Sequence, residues 1–313
     1  MSSHLTIVMY HYVRDLARTR FPGIKGRDLG EFRGQLEHIA ANYEVVTAEQ
    51  VMAAVAGQDT LPNNACWLIF ENGYFDHYEH VLPLLLERGW QGSFYVPSQT
   101  VTDRKILDVN KIHFILAAAS DTEPLIDDLK AFYDTHRGAG WDLSPWEEYW
   151  ATYAHPNRWD TAEVIFVKRM LQKGLPEQLR NEAADELFRR YVTADTDAFA
   201  AELYLDTHQL RAMHQLGHHL GSHGAAHYWL DALDPSAQAT DIDESLTFLR
   251  ALGVDTTHWT MCYPQGAYND VTLAILRERG CGAGFTNALG PARIPGDPPL
   301  ELPTLDTNDL PTR

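Results

Sequence analysis

The segment Gly217-His218-His219-Leu220-Gly221-Ser222-His223-Gly224-Ala225-Ala226-His227 carries the clearest chemical signal in the chain. His223 and His227 stand four residues apart, so on a helical turn both imidazoles project from one face. Two nitrogen ligands reach one zinc-like ion in that way. The small residues between them leave room for a metal and a substrate. With 15 histidines in the chain, the same spacing also arises by chance, and satisfied structural histidines are the alternative. A second segment, Phe70-Glu71-Asn72-Gly73-Tyr74, ends the apolar run Ala65 to Phe70. Ligands in open α/β sheets sit at the carboxyl ends of strands, where two adjacent oxygen-bearing side chains could act as base and metal ligand. A plain turn, with Asn72-Gly73 supplying left-handed geometry, is the competing reading. In the third segment, Met261 to Asn269, Pro264 and Gly266 close an apolar run. Such a rigid turn could aim backbone N–H groups at a developing oxyanion, or be no more than a turn.

The elements that must hold these residues alternate along the chain. Leu5 to Met9 reads as a strand, Glu31 to Asn42 as an amphipathic helix, and Tyr43 to Val46 as a second short strand. Thr47 and Gln50 form a capping box for a helix over Ala48 to Ala56. Ala65 to Phe70 suits a buried parallel strand, followed by a helix from Val81 to Arg88 and a strand from Gly92 to Val96. The pattern predicts an α/β domain with a parallel sheet. From about Arg104 to Asp206 strand-like runs vanish and helical segments take over, which predicts a helical insertion at about 104–205 within one domain spanning 1–313. Alternation resumes with Leu216 to Ser222, Ile242 to Leu252, Trp259 to Tyr263, Val271 to Arg279 and Ala283 to Thr286. The tail from Pro291 to Pro303 reads as an extended wrap.

Composition narrows the partners. The formal charge of −18, from 43 acidic and 25 basic residues, argues against nucleic acid and against anionic membranes. An uncharged or cationic small substrate fits, as does a polyanion at one locally basic site. The three cysteines, Cys66, Cys262 and Cys281, lie in apolar surroundings without metal-type spacing, and an odd count fits a reducing compartment. No stretch has the apolar length of a membrane span, and the first residues lack a basic region. The expectation is a soluble, cytoplasmic protein; oligomeric state is not legible.

In order and spacing, the three segments resemble the polysaccharide deacetylase family, carbohydrate esterase family 4, with its NodB homology domain. Tyr10-His11, Gly73-Tyr74, Leu82-Pro83-Leu84-Leu85 and Tyr263-Pro264-Gln265-Gly266-Ala267-Tyr268-Asn269 add to the likeness. The resemblance implies a distorted (β/α) barrel, often seven-stranded. It implies Glu71 as general base, Asn72, His223 and His227 as ligands of a divalent metal, commonly zinc, and hydrolysis of an acetamide to acetate and an amine. Tyr74, Tyr263, Pro264, Gly266 and Trp229 would line the substrate.

The chain departs from the family pattern at several of these positions. Glu71 and Asn72 replace two aspartates, Cys262 falls where an arginine is expected, and Gly224 replaces a serine or threonine, which would loosen one supporting contact. No late Leu-x-Leu-His motif supplies a general acid, and His11 is the substitute, against a structural histidine there. Three functions compete: an N-deacetylase on an acetylated sugar or polysaccharide precursor, a metal-poor C–N hydrolase on another amide, and a weakened or inactive protein that binds sugar or a partner. Trp141, Trp146, Trp150 and Trp159 cluster in the insertion, as helix packing or as a stacking surface for sugar.

Overall fold

Seven short strands form the frame of the computed structural model, which describes residues 3–312. They are β1 (Ser3–Tyr10), β2 (Asn64–Glu71), β3 (Ser93–Val96), β4 (His219–Ser222), β5 (Trp259–Cys262), β6 (Cys281–Leu289) and β7 (Leu302–Asp306). Each pairs in parallel with the next in space, in the order β1, β2, β3, β4, β5, β6, β7. The parallel pair β7–β1 closes the ring. The architecture is the NodB-type (β/α) barrel that the resemblance implied. Two further strands extend the sheet: Glu44–Val45 beside β2, and Ala292–Ile294 antiparallel to β1.

The closing strand corrects the reading of the tail. Residues 291–303 are no simple wrap, because they contain Ala292–Ile294 and lead directly into β7. Proline 303 lacks the N–H that a ladder needs, and the β6–β7 register shifts there, between Leu302 and Thr304.

Helices α1 (Leu29–Asn42), α3 (Leu82–Arg88), α4 (Thr207–Gln215), α5 (Pro235–Leu252) and α6 (Asp270–Glu278) cover the outside, and α2 (Ala48–Val55) feeds the interior. Side-chain alternation along each strand sorts the residues between two cores. Val8, Leu68, Phe70, Phe94, Leu220 and Met261 point outward and pack with Phe32, Leu85, Met213, Leu246 and Leu276 of the helices. Leu5, Ile7, Trp67, Ile69, Tyr95, Cys262 and Phe285 point inward, where Ala48, Val51 and Ala54 of α2 join them. The expected capping box on α2 is present: Gln50 N donates to Thr47 Oγ1 and Thr47 N to Gln50 Oε1. Glycine is required at 221, where an added Cβ would stand 2.2 Å from the Tyr95 ring inside the barrel.

The chain divides into two compact units. The barrel unit takes residues 1–15, 26–105 and 200–313; the helical unit takes 16–25 and 106–199. The helical unit is thus built from the expected insertion and from part of the polar loop that follows β1. Its core is aromatic and aliphatic, with Phe166, Leu129, Leu179 and Ala183 fully buried. Among the described residues, no helix is long and apolar enough to cross a membrane.

Candidate active site at the carboxyl rim of the barrel

Strand alternation decides which side chains meet above the barrel. Inward positions continue from Ile7 and Met9 to His11, from Trp67 and Ile69 to Glu71, from His219 and Gly221 to His223, and from Thr260 to Cys262. Register then sets neighbours. Tyr10 pairs with Phe70, which brings His11 beside Glu71, and Ser222 pairs with Met261, which brings His223 beside Cys262. Four strand ends therefore place three titratable groups and a thiol on one rim, the end of the fold where (β/α) barrels carry their chemistry.

Glu71 is the hub. Its Oε2 lies 3.0 Å from His11 Nε2 and 3.7 Å from His223 Nε2, and its Oε1 accepts the Cys262 thiol at 2.8 Å. Burial opposes ionisation of this carboxylate, but His11, His223 and the thiol outweigh it and hold its pKa down at about 2. The His11 side chain is 47% exposed against 8% for Glu71, so a buried carboxylate orients a half-open imidazole. Desolvation works against the His11 charge, yet the charge of Glu71 and its hydrogen bond raise the pKa above the ordinary value. Burial, and then Glu71 itself, push the Cys262 thiol well up, which keeps it a donor. Cys262, which falls where the family pattern has an arginine, therefore touches the proposed base.

The two histidines of the segment Gly217 to His227 converge without a helix. His223 follows β4 directly, and residues 223–229 form an irregular loop rather than a helical turn. His227 has a left-handed backbone (φ 61°), and the rings of His223 and His227 lie 4.8 Å apart, inclined at 69°. The loop is clamped from two sides. Asp241, on α5, accepts from Ala225 N at 3.0 Å and Ala226 N at 2.9 Å; the carbonyls of Gly224 and Ala225 accept from Ser98 N and Gln99 N. Gly224 sits at φ 69°, where a Cβ would stand 2.4 Å from Asp241 Oδ2. The missing hydroxyl at 224 is thus a steric requirement of the clamp rather than a loosened contact. Sequence reading passed over Asp241. Its signal lay in Gln238, Asp241 and Ser245, polar residues spaced along the buried stripe of α5.

A divalent metal is the group this family resemblance implies, and the donor chemistry fits one. His223 Nδ1 donates to the Cys262 carbonyl at 2.7 Å, which leaves Nε2 with its lone pair. That nitrogen and Asn72 Oδ1 are buried and have no hydrogen-bond partner among the described residues. Burial lowers the pKa of His223; burial and the neighbouring His223 lower that of His227, so both rings are neutral donors. No group of three or more His, Cys, Asp or Glu side chains placed to hold a metal occurs among the described residues.

The expected substrate-lining residues separate. Tyr74 is fully buried, stacked on Tyr12 with centroids 4.1 Å apart, and its hydroxyl accepts from Asn72 Nδ2 at 3.1 Å. Tyr263 is buried too and donates to the Leu300 carbonyl at 2.7 Å. The Gly266 amide, one of the donors expected for an oxyanion, is bonded to the Tyr263 carbonyl at 2.8 Å. Pro264 is buried in the same turn, and Trp229 is half-buried beyond His227. A cavity of about 560 Å³ lies at the opposite end of the strands, lined by Met52, Cys281 and Leu300, and contains none of these residues.

A closed parallel barrel with imidazoles and a carboxylate on its carboxyl rim defines a class, and the comparisons name it. The polysaccharide deacetylase family model matches residues 182–283, which include the histidine segment and the Tyr263–Gly266 turn. Solved structures share the fold along almost the whole chain. The Streptococcus pyogenes deacetylase PplD in complex with acetate superposes with a TM-score of 0.59 at 16% identity, covering 98% of this chain and 93% of its own. A de-N-acetylase from Aggregatibacter actinomycetemcomitans gives 0.58 at 18% identity, covering 97% and 96%. IcaB from Ammonifex degensii gives 0.56 at 18%, covering 97% and 91%. None of the curated proteins matches in sequence. The resemblance to the polysaccharide deacetylases holds in sequence over residues 182–283 and in fold along the chain.

Proposed function

We propose that the chain is an N-deacetylase that hydrolyses the acetamide of an acetylated sugar in a polysaccharide or its precursor. The observation that carries this reading is the convergence of His11, Glu71, His223 and His227 on one barrel rim. His223, His227 and Asn72 would hold a divalent metal, with zinc suited to two imidazoles. Lewis-acid polarisation of the acyl oxygen is the chemistry such an ion supplies when bound. Glu71, an ionised acceptor on the rim, takes a proton from the attacking water, whose oxygen bonds to the acyl carbon. His11, 3.0 Å away, delivers a proton to the nitrogen as the C–N bond breaks. The products are acetate and a free amine, and the acetate held by the S. pyogenes relative is of that product class. The helical unit belongs to the same deacetylase domain in this reading, as an insertion. Three free thiols suit a cytoplasmic setting.

A second reading, a weakened or inactive deacetylase-like binding protein, is favoured by Asn72, whose neutral oxygen is a poorer zinc ligand than a carboxylate. Metal content separates the two. The purified protein is expected to carry near-stoichiometric zinc or another divalent ion, lost in His223→Ala/His227→Ala. Deacetylation of acetylated oligosaccharides should follow the metal and rise in Glu71→Asp/Asn72→Asp. Metal binding without release of acetate from any acetylated sugar would hand the chain to the second reading.

A further inference from the structure

Asn72 poses a problem that an aspartate at the same place would not. A carboxylate has two equivalent oxygens, so either arm can meet a cation. A primary amide has one oxygen and one NH₂ group of nearly the same shape, and only the oxygen can act as a ligand. Reversed, the amide would turn two hydrogens toward the ion. Some neighbour must therefore choose between the two orientations.

Tyr74 is placed to make that choice. Asn72 and Gly73 both have left-handed backbones, at φ 72° and 62°, and the Gly73 carbonyl accepts from Leu205 N at 2.9 Å. Across this tight turn the Tyr74 hydroxyl accepts from Asn72 Nδ2 at 3.1 Å, and both side chains are buried. The phenol ring is itself held. It stacks on Tyr12 with centroids 4.1 Å apart and on Tyr204 at 6.2 Å, and His77 packs edge-on against it at 5.6 Å. With Nδ2 committed to Tyr74, the arm left over is Oδ1, which is buried and has no hydrogen-bond partner among the described residues. An unpaired buried acceptor lowers stability until something meets it. Tyr74 was expected to line the substrate; it lies too deep for that, and its hydroxyl is engaged with Asn72 instead.

We infer that Tyr74 is a positioning residue, whose hydroxyl fixes the Asn72 amide so that its oxygen is the arm offered to the metal. The inference rests on the reading of Asn72, His223 and His227 as metal ligands. It makes Asn72 and Tyr74 a functional pair, in which an oriented amide stands where the family pattern has a carboxylate. With Asp at position 72, both arms are oxygens and no such choice is needed.

Zinc affinity of the whole chain, measured by competition with a chromogenic chelator, tests the pair. The chains compared are the parent, Tyr74→Phe, Asn72→Asp and Asn72→Asp/Tyr74→Phe. Phenylalanine keeps the ring and its stacking and removes only the hydroxyl. Tyr74→Phe should weaken zinc binding by about tenfold or more, as loss of a ligand's outer partner does. In the Asn72→Asp background the same change should cost about threefold or less, which is the coupling a double-mutant cycle reads. Zinc binding by the double variant would also show that the pocket forms without the hydroxyl. An equal loss in both backgrounds would mark the hydroxyl as merely structural and overturn the inference. So would a Tyr74→Phe chain that binds zinc as the parent does. A parent without measurable zinc affinity would overturn the metal reading, and this inference with it.

Discussion

The two halves of the rim are built by different means. Around His223 and His227 the backbone does the holding: Asp241 grips two amides, Ser98 and Gln99 hold two carbonyls, and the Cys262 carbonyl fixes the imidazole. Around Glu71 side chains hold one another, through His11 on one oxygen and the Cys262 thiol on the other. The histidine half keeps both histidines of the family pattern, and the carboxylate half keeps His11 but differs at Glu71, Asn72 and Cys262. Glu71 is one methylene longer than aspartate, and Cys262 is far shorter than the arginine expected opposite it. The Cys262 thiol nonetheless reaches Glu71 at 2.8 Å. Each side chain of that half is held by another, whereas the histidine loop is held through its own amides and carbonyls.

Breaking the carboxylate half should have the largest effect. Glu71→Gln keeps the shape and removes the charge, and the deacetylation rate should fall on the order of 10²–10⁴-fold; the melting temperature should fall too, because the ion pair with His11 is lost, while the chain stays folded at assay temperature. A retained rate would move the base to the histidine half. Breaking the histidine half at its clamp should act on stability first. Asp241→Ala leaves two buried amides unpaired, at about 1–3 kcal/mol each, and should also weaken zinc binding. Denaturant titration and metal competition read the two effects, and a loss of stability with unaltered zinc affinity would uncouple the clamp from the ligands. Gly224→Ser restores the family residue and tests the steric argument. It should cost roughly 1–3 kcal/mol by crowding Asp241 at a positive φ. A neutral outcome in chemical denaturation would show that the clamp yields.

A further effect, set by neither half of the rim, is one of pH. Burial lowers the pKa of His77 to about 3 and that of His219, beside Thr260 inside the barrel, to about 4. In the unfolded chain both take up a proton near the ordinary value of 6.5, while the folded chain does not. Their contribution is therefore complete above about pH 6.5 and declines as the pH falls toward 4. Each histidine lowers stability by up to about 1.4 kcal/mol per pH unit in that window. Unfolding free energies measured from pH 7 to 5 should show this slope, and His219→Gln should flatten it.

Much of this was legible in the sequence because alternation and apolar runs reflect local physics. Six of the seven barrel strands, the capped helix α2 and the helical stretch could all be located that way. β7 escaped because Pro303 interrupts it, and a proline reads as an end to pairing when only the chain is seen. The histidine pair was read as helical from its spacing, but a left-handed residue at 227 brings the rings together instead. Asp241 and Cys262 were harder for one reason. Their importance lies in partners on other elements, 15 and 191 residues away in the chain, and no local window contains them.

The pairing of Tyr10 with Phe70 has a consequence for how activity would return after the chain is cut. The stave that closes the barrel also delivers His11 to Glu71, so one docking event restores both. A peptide spanning residues 1–15, mixed with the fragment that begins at residue 26, would act as a two-piece reporter. Ring closure and catalysis would recover together, with one dose dependence.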